Sequence, residues 1–362
     1  MSTRSIQDLG PTIGDVGGRS VVLAYGSVSA EYEALHNRAA VFDRSHRGRL
    51  RVTGPRATEM VTGLVTNDVT ALAPGQGCYA AALTAKGKIV ADVRILVEED
   101  GVLVDAPPRA AAAWAGMVRK FVNPRIAPHA DVSASLRDLG VFGGTAHHVV
   151  SELTGVPAPA LTTLAPYSHL SVEIDGMPVR LVKVPELEVD GFEMIVPAEA
   201  FTSLWTAAVA AGATPAGLEA WDISRVEAGR PEWGVDMDDN TIPQEANFDA
   251  LHAISYTKGC YVGQETVARV HFRGHVNKHL RGVRAAGMEP IHSGATLHDE
   301  SGAQVGDVRS AVRSPRLGAI ALAMIRREVE PGAALIARSP GEGEDAPPTD
   351  RRVDVAALPF SV

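Results

Sequence analysis

The segment Lys258-Gly259-Cys260-Tyr261-Val262-Gly263-Gln264-Glu265 sets one of the chain's two cysteines between two glycines, beside a lysine and an acid. Cysteine reacts as its thiolate, and nearby positive charge favours that form. Lys258 before Cys260 and Arg269 after it supply such charge along the chain. Cys260 is therefore a candidate reactive or partner-facing thiol, with Lys258 as its candidate activator. Gly259 and Gly263 tolerate left-handed backbone angles and close approach. Together with Tyr261, Gln264, Glu265 and Arg269 they are read as shaping a loop that holds the thiol out of the core. The plain alternative is a glycine-rich turn whose cysteine is a small buried apolar residue.

Around this loop stand Arg225-Val226-Glu227-Ala228-Gly229, Ile242-Pro243-Gln244-Glu245-Ala246-Asn247 and Ala268-Arg269. In this order and spacing the region resembles the YgfZ family. Those proteins are folate-binding relatives of the glycine-cleavage T-protein, implicated in iron–sulfur cluster assembly and tRNA modification. A second block, Val41-Phe42-Asp43-Arg44-Ser45-His46-Arg47-Gly48 through Thr66-Asn67-Asp68-Val69, is similar to the N-terminal part shared by T-proteins and YgfZ-like proteins. Pro74-Gly75-Gln76-Gly77 and Lys86-Gly87-Lys88 continue that register.

The resemblance implies two α+β lobes around a central folate cleft, closed by a small C-terminal β-barrel. It implies tetrahydrofolate or a derivative as ligand. Arg225 would anchor the folate's carboxylate tail, as arginine recognises carboxylates bidentately. Glu193, in Asp190-Gly191-Phe192-Glu193, would face the pterin. Two departures from the T-protein pattern matter. Glu186 stands where T-proteins have a tyrosine, and Ala91-Asp92 stands where they have an acidic pair. Asp92 is left to orient a folate or merely stabilise a turn, and the loss at position 91 argues against transfer chemistry.

Composition bounds these readings. The chain has 362 residues, which suggests two or three domains, and its 45 % apolar and 21 % charged residues are a globular balance. A formal charge of −9 disfavours general binding to nucleic acid or an anionic membrane. Direct tRNA contact is thus a weaker expectation than action through tRNA-modifying enzymes. Cys78 and Cys260 are too few for a disulfide framework or for the four thiolates of a cluster. Met1 to Gly10 has no apolar core of a signal peptide, so a reducing cytoplasm is expected. Six acids and no basic residue lie between Glu232 and Asp249, and six basic residues against one acid lie between Lys258 and Arg284. That reversal suits either a polarised cleft or two oppositely charged exposed loops.

The elements that must position these residues follow from periodicity. Helices are expected over 31–40, after Gly54-Pro55, over 108–121 with Trp114, Val118 and Phe121 buried, over 201–209 and over 217–228. Strands are expected over 49–52, 78–83, 89–97, 102–104, around 172, over 179–184 and 192–196. His271, His275 and His279 recur every fourth residue, but Gly274 points to a strand–turn–strand passage and against a metal site. Ser45-His46 is read as a structural turn, there being no third partner. The glycine-punctuated segment beyond His279 reads as all-β. Four parts are expected: a first α+β lobe over 1–125, a second over 126–275 ending in the cysteine loop, a barrel over 276–340, and a partly mobile tail over 341–362. The class is α+β. Expected partners are folate and iron–sulfur client or assembly proteins. A folate-dependent aminomethyl or one-carbon transferase and a folate-free interaction scaffold are the rival functions.

Overall fold

A computed structural model describes residues 10–286, 289–339 and 349–361. The chain divides into two compact units. The first contains residues 1–85, 90–221 and 252–264, and the second residues 86–89, 222–251 and 265–362. In chain order the first opens with β1 (Thr12–Val16), β2 (Arg19–Ala24), α1 (Val28–Asn37), β3 (Ala40–Asp43), β4 (Gly48–Thr53) and α2 (Ala57–Thr62). It continues with β5 (Gly77–Leu83), β6 (Ile89–Glu98), β7 (Gly101–Ala106), α3 (Pro108–Phe121), β8 (His129–Asp131) and β9 (Leu136–Phe142). Next come α4 (Ala146–Thr154), α5 (Ala158–Thr162), β10 (His169–Ile174), β11 (Met177–Lys183), β12 (Gly191–Pro197), α6 (Phe201–Ala210), β13 (Thr214–Pro215) and α7 (Leu218–Glu227), whose residues from Asp222 onward are counted in the second unit.

Two sheets organise this unit. One has the order β5-β6-β7-β4-β8 and the other β10-β11-β12-β9-β3-β13. No boundary falls at residue 125: β3 pairs with β9, and β8 returns to pair with β4. The sequential lobes 1–125 and 126–275 are therefore interleaved, each sheet borrowing a strand from the other stretch of chain.

Alternation along the strands decides which side chains meet. Val41, Leu139, Val141, Phe192, Met194 and Val196 join one core with Leu204, Trp205 and Ala208 of α6. On the opposite face of the same strands, Phe42, Phe142 and Ile195 pack in a second core with Leu96 and Leu103 of the other sheet. Asp138 and Glu193 share the parity of this second face, as do Asp92 and Arg94 with Leu96, and Asp105 with Leu103. Buried charges thus fall on the layer between the two sheets. Gly140 belongs there because a Cβ on it would lie 2.6 Å from the Phe142 ring and 3.3 Å from Arg44 Cγ.

The helix expected over 108–121 is α3, with Trp114 and Val118 buried, but Phe121 is 48 % exposed. Phe121 closes the last turn, where no neighbouring element covers it.

In the second unit α8 (Gln264–Arg273) precedes β14 (Lys278–Ala285), β15 (Thr296–His298), β16 (Gln304–Ser314), β17 (Gly318–Arg326), β18 (Ala334–Ser339) and β19 (Thr349–Ala356). These six strands close a barrel in the order β14-β17-β16-β15-β18-β19, filled by Val283, Ala319, Ala321, Ala323, Ile325 and Val353. The fold is α+β with a C-terminal barrel.

Two expectations need correction here. The region from His271 is helical up to Arg273: Gly274 follows the last turn and does not interrupt it, so His271 lies on α8 and His279 on β14. The tail expected over 341–362 supplies a barrel strand from Thr349 to Ala356, while residues 341–348 and Val362 lie outside the described residues. Gly287 and the first nine residues also lie outside them. No described helix is long and apolar enough to cross a membrane.

Candidate functional site

The layer between the two sheets of the first unit holds four arginines and five carboxylates. β4, β7 and β6 place Arg49, Asp105 and Arg94 in one row by their strand register. Arg49 Nη2 lies 3.3 Å from Asp105 Oδ2 and donates to Asp138 Oδ2 at 2.6 Å. Arg94 reaches Asp105 at 2.9 Å, Glu193 at 2.8 Å and Glu186 at 3.4 Å. Arg44 lies 3.4 Å from Glu193 and 3.6 Å from Glu186, with its guanidinium 3.7 Å from the Trp221 ring centroid. Arg47 donates through Nε to Asp105 Oδ1. Glu186, where the T-protein pattern has a tyrosine, thus serves as a counter-charge to Arg44 and Arg94.

Asp92 sits at the edge of this network. It is 6 % exposed, and Tyr79 donates its hydroxyl to Oδ2 at 2.9 Å. The other oxygen, Oδ1, is buried without a hydrogen-bond partner. Burial pushes its carboxyl up to about 6, with Arg47 and the Tyr79 bond holding it from rising further. Burial also pushes Asp105 up, but Arg47, Arg94 and Arg49 outweigh it and hold that carboxyl well below the usual range. Asp138 goes the other way: burial and the adjacent Glu193 charge raise it despite Arg49. His46 is kept neutral by burial and by Arg44, Arg47 and Arg49, and its Nδ1 has no partner. A neutral imidazole and a carboxyl titrating near neutrality are groups that can hold or accept a proton.

Ala91 faces away from Asp92 because neighbouring strand residues alternate, and it is fully buried. An acid at position 91 would therefore point to the other side of the sheet. Its absence removes nothing from the Asp92 side, so the case against transfer chemistry drawn from it does not hold.

Lys258 has a different task from the one expected. Its ammonium donates to the carbonyls of Thr62 (2.6 Å), Val65 (2.6 Å) and Asn67 (2.8 Å), and lies 4.6 Å from the Tyr261 ring centroid. Thr66 Oγ1 donates to Ala253 O, Asn67 Nδ2 to His252 O, and Val262 N–H to Gly63 O. These bonds stitch residues 252–264 to residues 62–67. Burial pushes the lysine down to about 8 against the pull of Asp68 and Cys78, so the thiol that feels it is Cys78. That thiol is buried and pushed up to about 12. Cys260 is exposed on the loop. Gln264 Oε1 accepts from Tyr261 N–H at 3.0 Å, and Gly263 takes φ +83°, whereas Gly259 needs no left-handed angle. Glu265 and Arg269 stand on α8, in the second unit.

Arg225 belongs to the second unit, and each of its guanidinium nitrogens already has a partner. Nε donates to Asp222 at 2.8 Å, Nη1 to Asp236 at 2.8 Å and to Arg230 O at 3.2 Å, and Nη2 to Ser310 Oγ at 2.8 Å. Four of its five N–H groups are thus engaged, which leaves no pair to clasp an incoming carboxylate, so the bidentate tail-anchor role does not fit this geometry. Glu193, the expected pterin acceptor, is 1 % exposed and already paired with Arg44 and Arg94.

Of the expected site residues, the structure brings Glu193 and Asp92 to one layer and sets Arg225 in another unit. Arg44, Arg47, Arg49, Arg94, Asp105, Asp138 and Tyr79 were not singled out from sequence. The available signal was charge inside apolar strands: Asp92 and Arg94 within Ile89–Glu98, and Asp105 within Gly101–Ala106.

Comparison with known proteins bears on the family and the fold. The GCVT N-terminal domain family matches residues 3–255, and the glycine cleavage T-protein C-terminal barrel domain matches residues 278–352. An aminomethyltransferase of Thermosynechococcus vestitus is 34 % identical over 308 residues, covering 84 % of this chain and 81 % of the relative. Another, of Rubrobacter xylanophilus, is 32 % identical over 333 residues, covering 91 % and 87 %. The crystal structure of the glycine cleavage system aminomethyltransferase T from Bartonella henselae has the same fold, with a TM-score of 0.87 at 22 % identity over 98 % of this chain and 95 % of that one. These relatives are named aminomethyltransferase, so the comparisons support the broader T-protein family and not the YgfZ branch expected from the sequence. On the two family matches and the extent of the relatives, the chain belongs to the glycine cleavage T-protein family.

Proposed function

We propose that this protein is a folate-dependent aminomethyl or one-carbon transferase in which Asp92 is the acid–base group. One observation carries the reading: a buried carboxyl, fixed by Tyr79 at one oxygen and unpartnered at the other. Transfer of a one-carbon unit to a substrate nitrogen breaks the bond between that carbon and its donor, which departs as the leaving group. It also displaces the N–H proton, which a carboxylate titrating near 6 accepts around neutral pH. The relatives' name, aminomethyltransferase, supports the same class of reaction.

Tetrahydrofolate is the proposed acceptor substrate. The chain fits it in part. Asp92 Oδ1 offers an open acceptor to a substrate N–H, and Glu193 acts by fixing Arg44 and Arg94. Arg225 has four of its five N–H groups engaged, so no bidentate tail contact is assigned to it. Tetrahydrofolate-dependent transfer from an aminomethyl donor should fall by about 10²- to 10⁴-fold in Asp92→Asn with tetrahydrofolate binding retained. Transfer at the wild-type rate by that variant would remove Asp92 from the mechanism.

A second reading, support of iron–sulfur cluster assembly or repair in client enzymes of the cytoplasm, including tRNA-modifying ones, rests on the exposed Cys260 thiol. It is separable: Cys260→Ser should abolish client support and leave transfer untouched. Normal client activity with the serine variant would retire it.

A further inference from the structure

The second unit holds a cavity of about 420 Å³ where the end of α7, residues 247–251, the start of β14 and the segment after β19 meet. That volume is in the range of small-molecule sites. Its apolar side is formed by Ala250, Leu251, Pro331, Ala356 and Leu358, and its polar side by Asn247, His279 and Arg281. Among the described residues no acid lines it, in a chain whose formal charge is −9. Strand alternation explains the polar side. His279 and Arg281 continue the row of Val283 and Ala285, which fill the barrel, so that row ends in charge at the cavity. The walls are fixed. Gly229 takes φ +67°, and a Cβ on it would lie 2.8 Å from Leu358 Cβ. Phe360 N–H donates to Glu227 O at 2.9 Å, and Asn247 Nδ2 to Leu280 O at 2.8 Å.

Arg281 is weakly held. Its bonds run through Nη2, to Glu330 Oε2 at 3.1 Å and to Arg327 O at 3.5 Å, and its Nε is buried without a hydrogen-bond partner. The Glu330 side chain is 71 % exposed against 16 % for Arg281, and an ion pair to so exposed an acid is worth little. Burial and Arg281 push the His279 imidazole down, so it is neutral around pH 7 and offers one N–H.

We infer that this cavity binds a small organic carboxylate, its anion at Arg281 and His279 and its carbon body against Ala250, Leu251 and Leu358. An inorganic anion would leave the apolar side in water. A neutral apolar molecule would leave Arg281 with Glu330 alone, and an amine would meet Arg281 as a like charge. The inference goes beyond the transferase reading and does not depend on it: every residue lining the cavity belongs to the second unit, and Asp92 belongs to the first.

The test is a ligand-observed NMR titration of the full chain with cyclohexanecarboxylate, cyclohexanecarboxamide, cyclohexylamine and inorganic phosphate. The carboxylate should bind saturably and at least about tenfold more tightly than the other three, since it alone combines a charge-assisted contact with an apolar body. Arg281→Met keeps the length of the side chain without its charge and should weaken the carboxylate at least about tenfold. Ala250 is exposed at the cavity, so Ala250→Trp fills the space without disturbing a core and should abolish binding, whether or not the methionine variant folds. The inference is overturned if the wild type does not bind cyclohexanecarboxylate, or if the carboxamide, the amine or phosphate binds as tightly. It is equally overturned if Ala250→Trp binds the carboxylate like wild type, or if a folded Arg281→Met does.

Discussion

Two buried arginine clusters in this chain have opposite characters. Around Arg225 in the second unit every guanidinium nitrogen is used: Asp222, Asp236, Arg230 O and Ser310 take them, and Asp236 also accepts from the backbone N–H groups of Glu232 and Ser310. In the layer of the first unit the hydrogen bonds do not close. Asp92 Oδ1, Asp105 Oδ2, Asp138 Oδ1, His46 Nδ1, and Arg49 Nε and Nη1 are buried without hydrogen-bond partners. A fully satisfied network rigidifies a fold, whereas an open one keeps buried polar atoms that only a ligand or a proton can meet. The difference separates scaffold from site more sharply than the presence of arginine does.

The comparison predicts that the two clusters break differently. Asp236→Ala removes the carboxylate paired with Arg225 Nη1 and strands a buried cation, so it should cost about 3 to 5 kcal/mol of stability. Denaturant titration of the second unit's unfolding would read it, and a loss below about 1 kcal/mol would show that the closed network is not holding the fold.

Asp92→Asn should do the reverse to stability. The folded carboxyl titrates near 6 and an unfolded one near 3.9, so the folded protein binds the proton more tightly between those values. The buried charge is therefore a cost above about pH 6 that disappears below about pH 4. The asparagine variant should be more stable than wild type by about 2 to 3 kcal/mol at pH 8 and equal to it below pH 4. Equal stability at both pH values would mean that Asp92 is not strained by its burial. Asp105 has the opposite sign: its carboxyl is depressed, so the stability it contributes is present above about pH 4 and lost as pH falls further.

The smallest effect belongs to the residue that opens the sequence reading. Cys260→Ser alters an exposed loop side chain and should change stability by less than about 0.5 kcal/mol and transfer not at all. A large loss of transfer would move the chemistry from the arginine layer to the cysteine loop.

Much of the fold was legible. The spacing of Trp114 and Val118 found α3, and the alternation around 179–184 and 192–196 found β11 and β12. The strand exchange between sheets was not, because pairing of β3 with β9 joins segments about a hundred residues apart and leaves no local pattern. The site was legible only at Asp92 and Glu193. Its arginines were passed over because charged residues usually lie at the surface, and nothing in a strand's own sequence says that its charge is buried against another sheet. Lys258 misled for a related reason. Proximity to Cys260 in sequence says nothing about direction, and the long side chain turns instead to three carbonyls of residues 62–67.

The most direct test of the open cluster as the reacting site is the pH–rate profile of tetrahydrofolate-dependent transfer in wild type and in Asp92→Asn. If Asp92 accepts the proton, the wild-type rate falls as pH drops through about 6, and the residual rate of the variant lacks that inflection. A wild-type rate flat from about pH 5 to 8, or the same inflection in both proteins, would contradict the assignment.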